Sequence, residues 1–208
     1  MAERPSGFRA HPWHGVSMGS EAPQVVTAYI EIVTTDAVKY EVDKVTGILR
    51  MDRPQQYSNV CPTLYGFIPQ TLCAEKVAEI CASRTGRTGI VGDADPMDIC
   101  VLTEKPISHG DILVRAIPIG GLRMLDGAEA DDKIVAVLQG DSIYGTWTDI
   151  AHCPAGLVDR MRHYFLTYKQ SPDRFTRSVE ITHVYGREEA YDVIRRSRDD
   201  YLAAFPRS

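Results

Sequence analysis

The sequence predicts an α+β domain, a small barrel of short strands with helices packed outside it. Two observations carry that expectation. From Val25 onward a run of short β-prone segments is separated by turn signals, and after Pro154 the apolar period changes from two to about 3.6 residues. The 208 residues suit one domain, 1–208, with decorations, and are ample for a single buried core without covalent staples.

Residues 1–24 are rich in Pro, Gly and Ser and read as an arm across the surface. Strands are expected at 25–33, 38–42, 48–51, 64–68, 99–103, 112–119 and 134–138, punctuated by Thr46-Gly47, His109-Gly110-Asp111 and Gly120-Gly121. Residues 73–92 are mixed: Ala74 to Ile80 could start a helix, whereas Arg84 to Gly89 reads as a loop. Leu157, Val158, Met161, Tyr164, Phe165 and Tyr168 recur on one helical face, with Pro154 near its start. Ala190, Ile194, Ser197 and Tyr201 outline a weaker stripe in a charged helix over about 187–204.

The charge balance is −5 and the pI about 5.7, with no long Lys/Arg run. A surface that tracks a nucleic-acid backbone needs clustered positive charge, so no nucleic-acid partner is expected. The uncharged stretch 54–74 holds three prolines and many polar residues, unlike the roughly 20-residue apolar helix that spans a bilayer. Five widely spaced cysteines form no C-x-x-C pair, and the N-terminal residues lack the apolar run of an export signal. Both point to a cytoplasmic protein with reduced thiols.

Chemistry concentrates in Gly92-Asp93-Ala94-Asp95-Pro96-Met97-Asp98, three carboxylates in six positions before an apolar strand. Carboxylates held this close repel unless a cation shares them, and Mg2+ takes few direct carboxylates while keeping several waters. An EF-hand is excluded, because Met97 and Asp98 stand where an oxygen ligand and Gly are needed. The alternative is a polar turn whose Asp side chains cap backbone amides. A second acidic group, Asp126, Glu129, Asp131 and Asp132, precedes Lys133 and reads either as a partner in a metal cluster or as a solvated hairpin loop. Lys39, Arg53, Tyr65, Tyr168 and Lys169 are residue types that bind phosphate oxygens. Neither a P-loop nor a G-x-S-x-G elbow occurs.

These segments, taken in order, carry a resemblance. Ile30-Glu31-Ile32, then Lys39-Tyr40-Glu41-Val42-Asp43-Lys44, Gly47, Asp52-Arg53-Pro54 and Tyr65-Gly66-Phe67-Ile68-Pro69 lead into the D-x-D-P-x-D element at 93–98. Asp126, Asp131 and Lys133 follow, and Tyr168-Lys169 ends the first long helical stripe. Over roughly residues 25–170 this resembles the family I soluble inorganic pyrophosphatases.

The resemblance implies a five-stranded, OB-like β-barrel flanked by helices, and Mg2+-dependent hydrolysis of pyrophosphate. It implies that Asp93, Asp98 and Asp131 hold the metals flanking the attacking water and that Asp95 takes the water's proton. Glu31 and Asp126 would help place further metals. Lys39 and Tyr65 would bind the phosphoryl group under attack, Arg53, Tyr168 and Lys169 the leaving phosphate, with Glu41 and Lys133 completing the pocket. A homo-oligomer is also implied. Three features depart from the family pattern: Cys61 replaces a frequent Tyr, Gly127 replaces a frequent acid after Asp126, and residues 73–92 form an insertion. Two other readings of the residues stay open, an OB-like nucleic-acid-binding module and a phosphohydrolase of another small phosphate substrate.

Overall fold

The computed structural model describes residues 9–170 and 179–206. Among the described residues, ten strands and three α-helices follow in chain order. The first four strands are β1 Val26–Ile32, β2 Val38–Val42, β3 Leu49–Pro54 and β4 Leu64–Phe67. Helix α1, Glu75–Thr85, lies within the segment 73–92 and is followed by β5 Val91–Gly92 and β6 Asp98–Leu102. Then come β7 Ile112–Asp126, β8 Glu129–Ala130 and β9 Lys133–Leu138. Helix α2, Ala155–Thr167, strand β10, Val179–Gly186, and helix α3, Arg187–Ala204, complete the chain.

The strands form one mixed eight-stranded sheet and a separate β2–β3 hairpin. Within the sheet β1 pairs with β4, β4 with β6, β6 with β9 and β9 with β7, and β7 pairs back onto β1. Each of these five strands therefore pairs with two others of the five, and β7 also pairs with β8 and β10. Their side chains alternate between two faces, with β1 switching faces at its register irregularity between Ile30 and Ile32. Val26, Ala28, Ile30, Ile99 and Ile134 fill one buried cluster, together with Val193 and Ile194 of α3. Ile32, Cys100, Leu122 and Val135 fill another, together with Met161, Tyr164 and Phe165 of α2.

The α+β expectation holds, as do seven strand positions and both long helices. Helix α3 occupies 187–204, and its whole expected stripe is buried. Two elements differ. Strand β7 runs past Gly120-Gly121 to Asp126 instead of stopping there. These glycines mark close approach rather than a turn: a Cβ on Gly120 would stand 2.5 Å from the Tyr185 carbonyl oxygen and 2.7 Å from Ile150 Cβ, and one on Gly121 would strike the Tyr185 ring. Strand β10, which lies against them, is an element the sequence reading does not anticipate.

The arm at 1–24 is also more than a surface strap over its described part, 9–24. Trp13 and Met18 are buried, and Trp13 Nε1 donates to the Thr71 carbonyl at 2.8 Å. The rest of that arm, 1–8, lies outside the described residues. The segment 73–92 closes on itself at its base, where Cys73 N donates to Asp95 O and Ala94 N donates to Cys73 O. No helix among the described residues is long and apolar enough to cross a membrane.

Candidate active site

The sheet registers bring the acids and cations together. Asp98 opens β6 and lies opposite Lys133, the first residue of β9, while Tyr65 on β4 is diagonal to it on the same face. Tyr65 Oη donates to Asp98 Oδ2 at 2.5 Å, and Lys133 Nζ donates to the same oxygen at 2.5 Å and also to Asp131 Oδ1. Asp126 ends β7 and accepts from Lys169 Nζ at 2.5 Å, just past the end of α2. The 93–97 loop is held in shape by Asp95 N donating to Asp93 Oδ1 at 2.9 Å.

The resulting cleft has a volume of about 150 Å3. Asp93, Asp95, Asp98, Asp126 and Asp131 line it, facing Lys39, Lys133, Lys169, Tyr65 and Tyr168. Glu31 and Glu41 line an adjoining cavity that shares Lys39, Tyr65, Asp95 and Asp98. Arg53 lines neither: it lies on the exposed β3, in register with Lys39, and its guanidinium pairs with Asp52. Glu129 of the second acidic group also lines the walls, as do two residues to which the sequence assigns no site role, Tyr164 and Lys44. Lys44 pairs with Asp95. Its signal was its place in the hairpin motif, two residues after Val42. Cys61 is buried beside Thr63, and its thiol is pushed up to about 11, foremost by burial, so it stays a neutral thiol.

The electrostatics follow from burial and crowding. Glu31 is pushed up to about 8, mainly by burial, against the opposing hydrogen bond from Val42 N at 2.7 Å. Asp93 is raised by burial and then by Asp131, and Asp131 is raised by burial despite the adjacent Lys133. Burial alone would lower Lys133, but Asp131 and Asp98 reverse that and hold it protonated. Tyr65 is raised by burial and then by Asp98 and Asp131, so it remains a phenol donor.

Among the described residues no three His, Cys, Asp or Glu side chains converge into a ready-made metal cage. The carboxylates instead ring an open cleft, and the donors are oxygen only. That chemistry fits a hard divalent cation with some of its own waters, and such a cation would relieve the repulsion from Asp131 that adds to burial in raising Asp93.

A cleft of carboxylates interleaved with Lys and Tyr donors, mounted on this mixed sheet, defines a site for phosphate chemistry assisted by a divalent cation. The sequence matches the inorganic pyrophosphatase family over residues 28–202. It is 47% identical to the inorganic pyrophosphatase of Chlamydia caviae over 211 residues, spanning 100% of this chain and 98% of that protein. To that of Chlamydia trachomatis it is 49% identical over 200 residues, spanning 94% and 96%. The structure of the Thermus thermophilus inorganic pyrophosphatase superposes with a TM-score of 0.76 at 29% identity, over 93% of this chain and 99% of that one. The chain belongs to the inorganic pyrophosphatase family.

Proposed function

We propose that this protein hydrolyses inorganic pyrophosphate to two phosphates with Mg2+ as cofactor. The observation that carries the reading is the convergence of Asp93, Asp95, Asp98, Asp126 and Asp131 with Lys39, Lys133, Lys169, Tyr65 and Tyr168 on one cleft. Pyrophosphate is small and highly anionic, and its own charge repels an attacking water. Asp93, Asp98 and Asp131 would hold Mg2+, with Glu31 and Asp126 serving further ions, and the bound metal would supply charge neutralisation and a more acidic water.

The chain's own residues then divide the work. Asp95 takes the proton of the attacking water. Lys39 and Tyr65 hold the phosphoryl group under attack, and Tyr168 and Lys169 hold the leaving phosphate. Arg53 reaches the same phosphate from the β2–β3 hairpin, exchanging Asp52 for it. Glu41 orients Lys39, whose Nζ lies 3.6 Å from its carboxylate, and Lys133 separates Asp98 from Asp131. The five-way strand pairing supports a five-stranded, OB-like barrel as the scaffold. Five free, buried cysteines support a reducing, cytoplasmic setting. We infer a homo-oligomer, and no nucleic-acid or membrane partner.

The test is phosphate release from pyrophosphate with Mg2+, with a chelator, and with Asp95→Asn. The wild type is expected to release phosphate rapidly, chelation to abolish release, and Asp95→Asn to lower the rate by about 10²–10⁴, the usual worth of a positioned base. A folded, Mg2+-supplied wild type that releases none overturns the reading.

A further inference from the structure

Behind the cleft lies a second charged cluster that the proposed chemistry does not use. Arg123 on β7 has no exposed side-chain surface, nor has Asp132, the residue between Asp131 and Lys133. Arg123 Nη1 lies 2.7 Å from Asp132 Oδ2, and Arg123 Nη2 donates to Glu189 Oε1 of α3 at 2.7 Å. Tyr185 Oη on β10 donates to Asp132 Oδ2 at 2.9 Å, and the Arg123 guanidinium sits over the Tyr185 ring at 4.9 Å. Arg84 of α1 adds a contact to Glu189 at 3.4 Å.

The cluster is costly. Desolvating two charges this deeply costs several kcal/mol per ion by general estimates, and apolar residues of similar shape often do as well or better. Arg123 Nε, Arg123 Nη1 and Asp132 Oδ1 make no hydrogen bond of good geometry among the described residues, so the pair is not fully satisfied. Packing alone does not account for it. Its position does: in the link from β8 to β9, Asp131 and Lys133 line the cleft, while Asp132 between them is buried away from it against Arg123. An anchored Asp132 therefore fixes the backbone that aims both neighbours.

We propose that Arg123, Asp132, Tyr185 and Glu189 form a positioning network that holds Asp131 and Lys133 in register with Asp98, so that the cleft is preorganised for its divalent cation. The inference rests on the proposed function, in which Asp131 is a metal ligand. Loss of the network loosens Asp131 without touching any group that meets substrate. Partners that orient metal ligands are typically worth about 10–100-fold in metal affinity.

The test is Mg2+ binding to the substrate-free protein by titration calorimetry, beside thermal melting. Two variants are used, Arg123→Met/Asp132→Leu, which replaces the ion pair with apolar groups, and Tyr185→Phe, which removes one hydroxyl. The double variant is expected to melt near the wild type yet bind Mg2+ about tenfold more weakly, with turnover recovered by excess Mg2+. Tyr185→Phe is expected to weaken Mg2+ binding in the same direction at unchanged melting temperature. Wild-type Mg2+ affinity in the folded double variant overturns the proposal. If that variant does not fold, Tyr185→Phe decides alone: unchanged Mg2+ affinity overturns, weakened affinity supports. Failure of the proposed function would show separately, as a wild type that neither binds Mg2+ nor releases phosphate, and would take this inference with it.

Discussion

Gly66 shows how a single residue outside the chemistry sets the position of one inside it. It stands between Tyr65 and Phe67 on β4, where that strand passes β1 at a register irregularity between Ile30 and Ile32. A Cβ there would overlap the Tyr29 carbonyl oxygen and lie 2.9 Å from Ile30 Cα. Backbone, unlike a flexible side chain, cannot step aside. Gly66→Ala is therefore expected to push β4 off β1 and cost about 1–3 kcal/mol, the range of a forced misfit in a packed core. Urea unfolding midpoints would measure it; a loss under about 0.5 kcal/mol would mean the two strands have slack. The same displacement moves Tyr65 from Asp98, so turnover should fall even where the variant remains folded. The residue types of the site were readable in the sequence because Asp, Lys and Tyr announce their chemistry. Lys44 receives no role from the sequence, because a lone surface charge carries no sign of what faces it.

At the scale of elements, α1 is a helix whose start is supplied from elsewhere. Its own N-cap, Ala74, offers no side-chain acceptor, and the first-turn N–H groups would be left orphaned. Asp200 of α3 takes that role: Oδ2 accepts from Ala74 N at 3.0 Å and Val77 N at 3.2 Å, and Oδ1 from Lys76 N at 3.0 Å. The anion also complements the positive end of the helix dipole. Asp200→Ala is expected to cost about 2 kcal/mol, the upper end for a lost cap, because the carboxylate is buried. For a chain of this size that lowers Tm by about 4–8 °C. An unchanged melt would show that α1 is held by its apolar face alone. This arrangement explains why the sequence left 73–92 half read. The start of α1 was visible as Ala-Glu-Lys-Val-Ala-Glu-Ile, but its cap lies more than a hundred residues away. Strand β10 was missed for a related reason: its register shifts between Ile181 and His183, so the alternation that marks a strand breaks halfway.

For the whole molecule, the cleft is assembled from segments that only the pairing of β4, β6 and β9, the β2–β3 hairpin and the end of α2 bring together. Composition and periodicity gave the α+β class and most elements. They did not tell that β7 returns to β1, since strand partners follow from closure of the whole sheet and not from any local pattern. The ordered spacing of motifs supplied the grouping of site residues, and the strand registers give it a physical basis. That grouping has a global cost. Burial raises Glu31, Asp93 and Asp131, so each resists ionisation in the folded protein more than in the unfolded chain. A carboxyl with a raised folded pKa binds more protons folded than unfolded between its two pKa values, so stability declines as pH rises through that window. For Glu31 the window runs from 4.5 to about 8. The metal-free protein is thus expected to melt at progressively lower temperature as pH rises from 5 to 8. A divalent cation that binds only the folded state reverses this: at 100 times its Kd it adds about 2.7 kcal/mol, or roughly 5–10 °C in Tm for a chain of this length. Melting curves at pH 8 with Mg2+, and with Na+ at matched ionic strength, separate site binding from screening. A rise with Mg2+ alone supports a specific site; equal rises with both salts would mean that the carboxylates respond only as a diffuse surface charge.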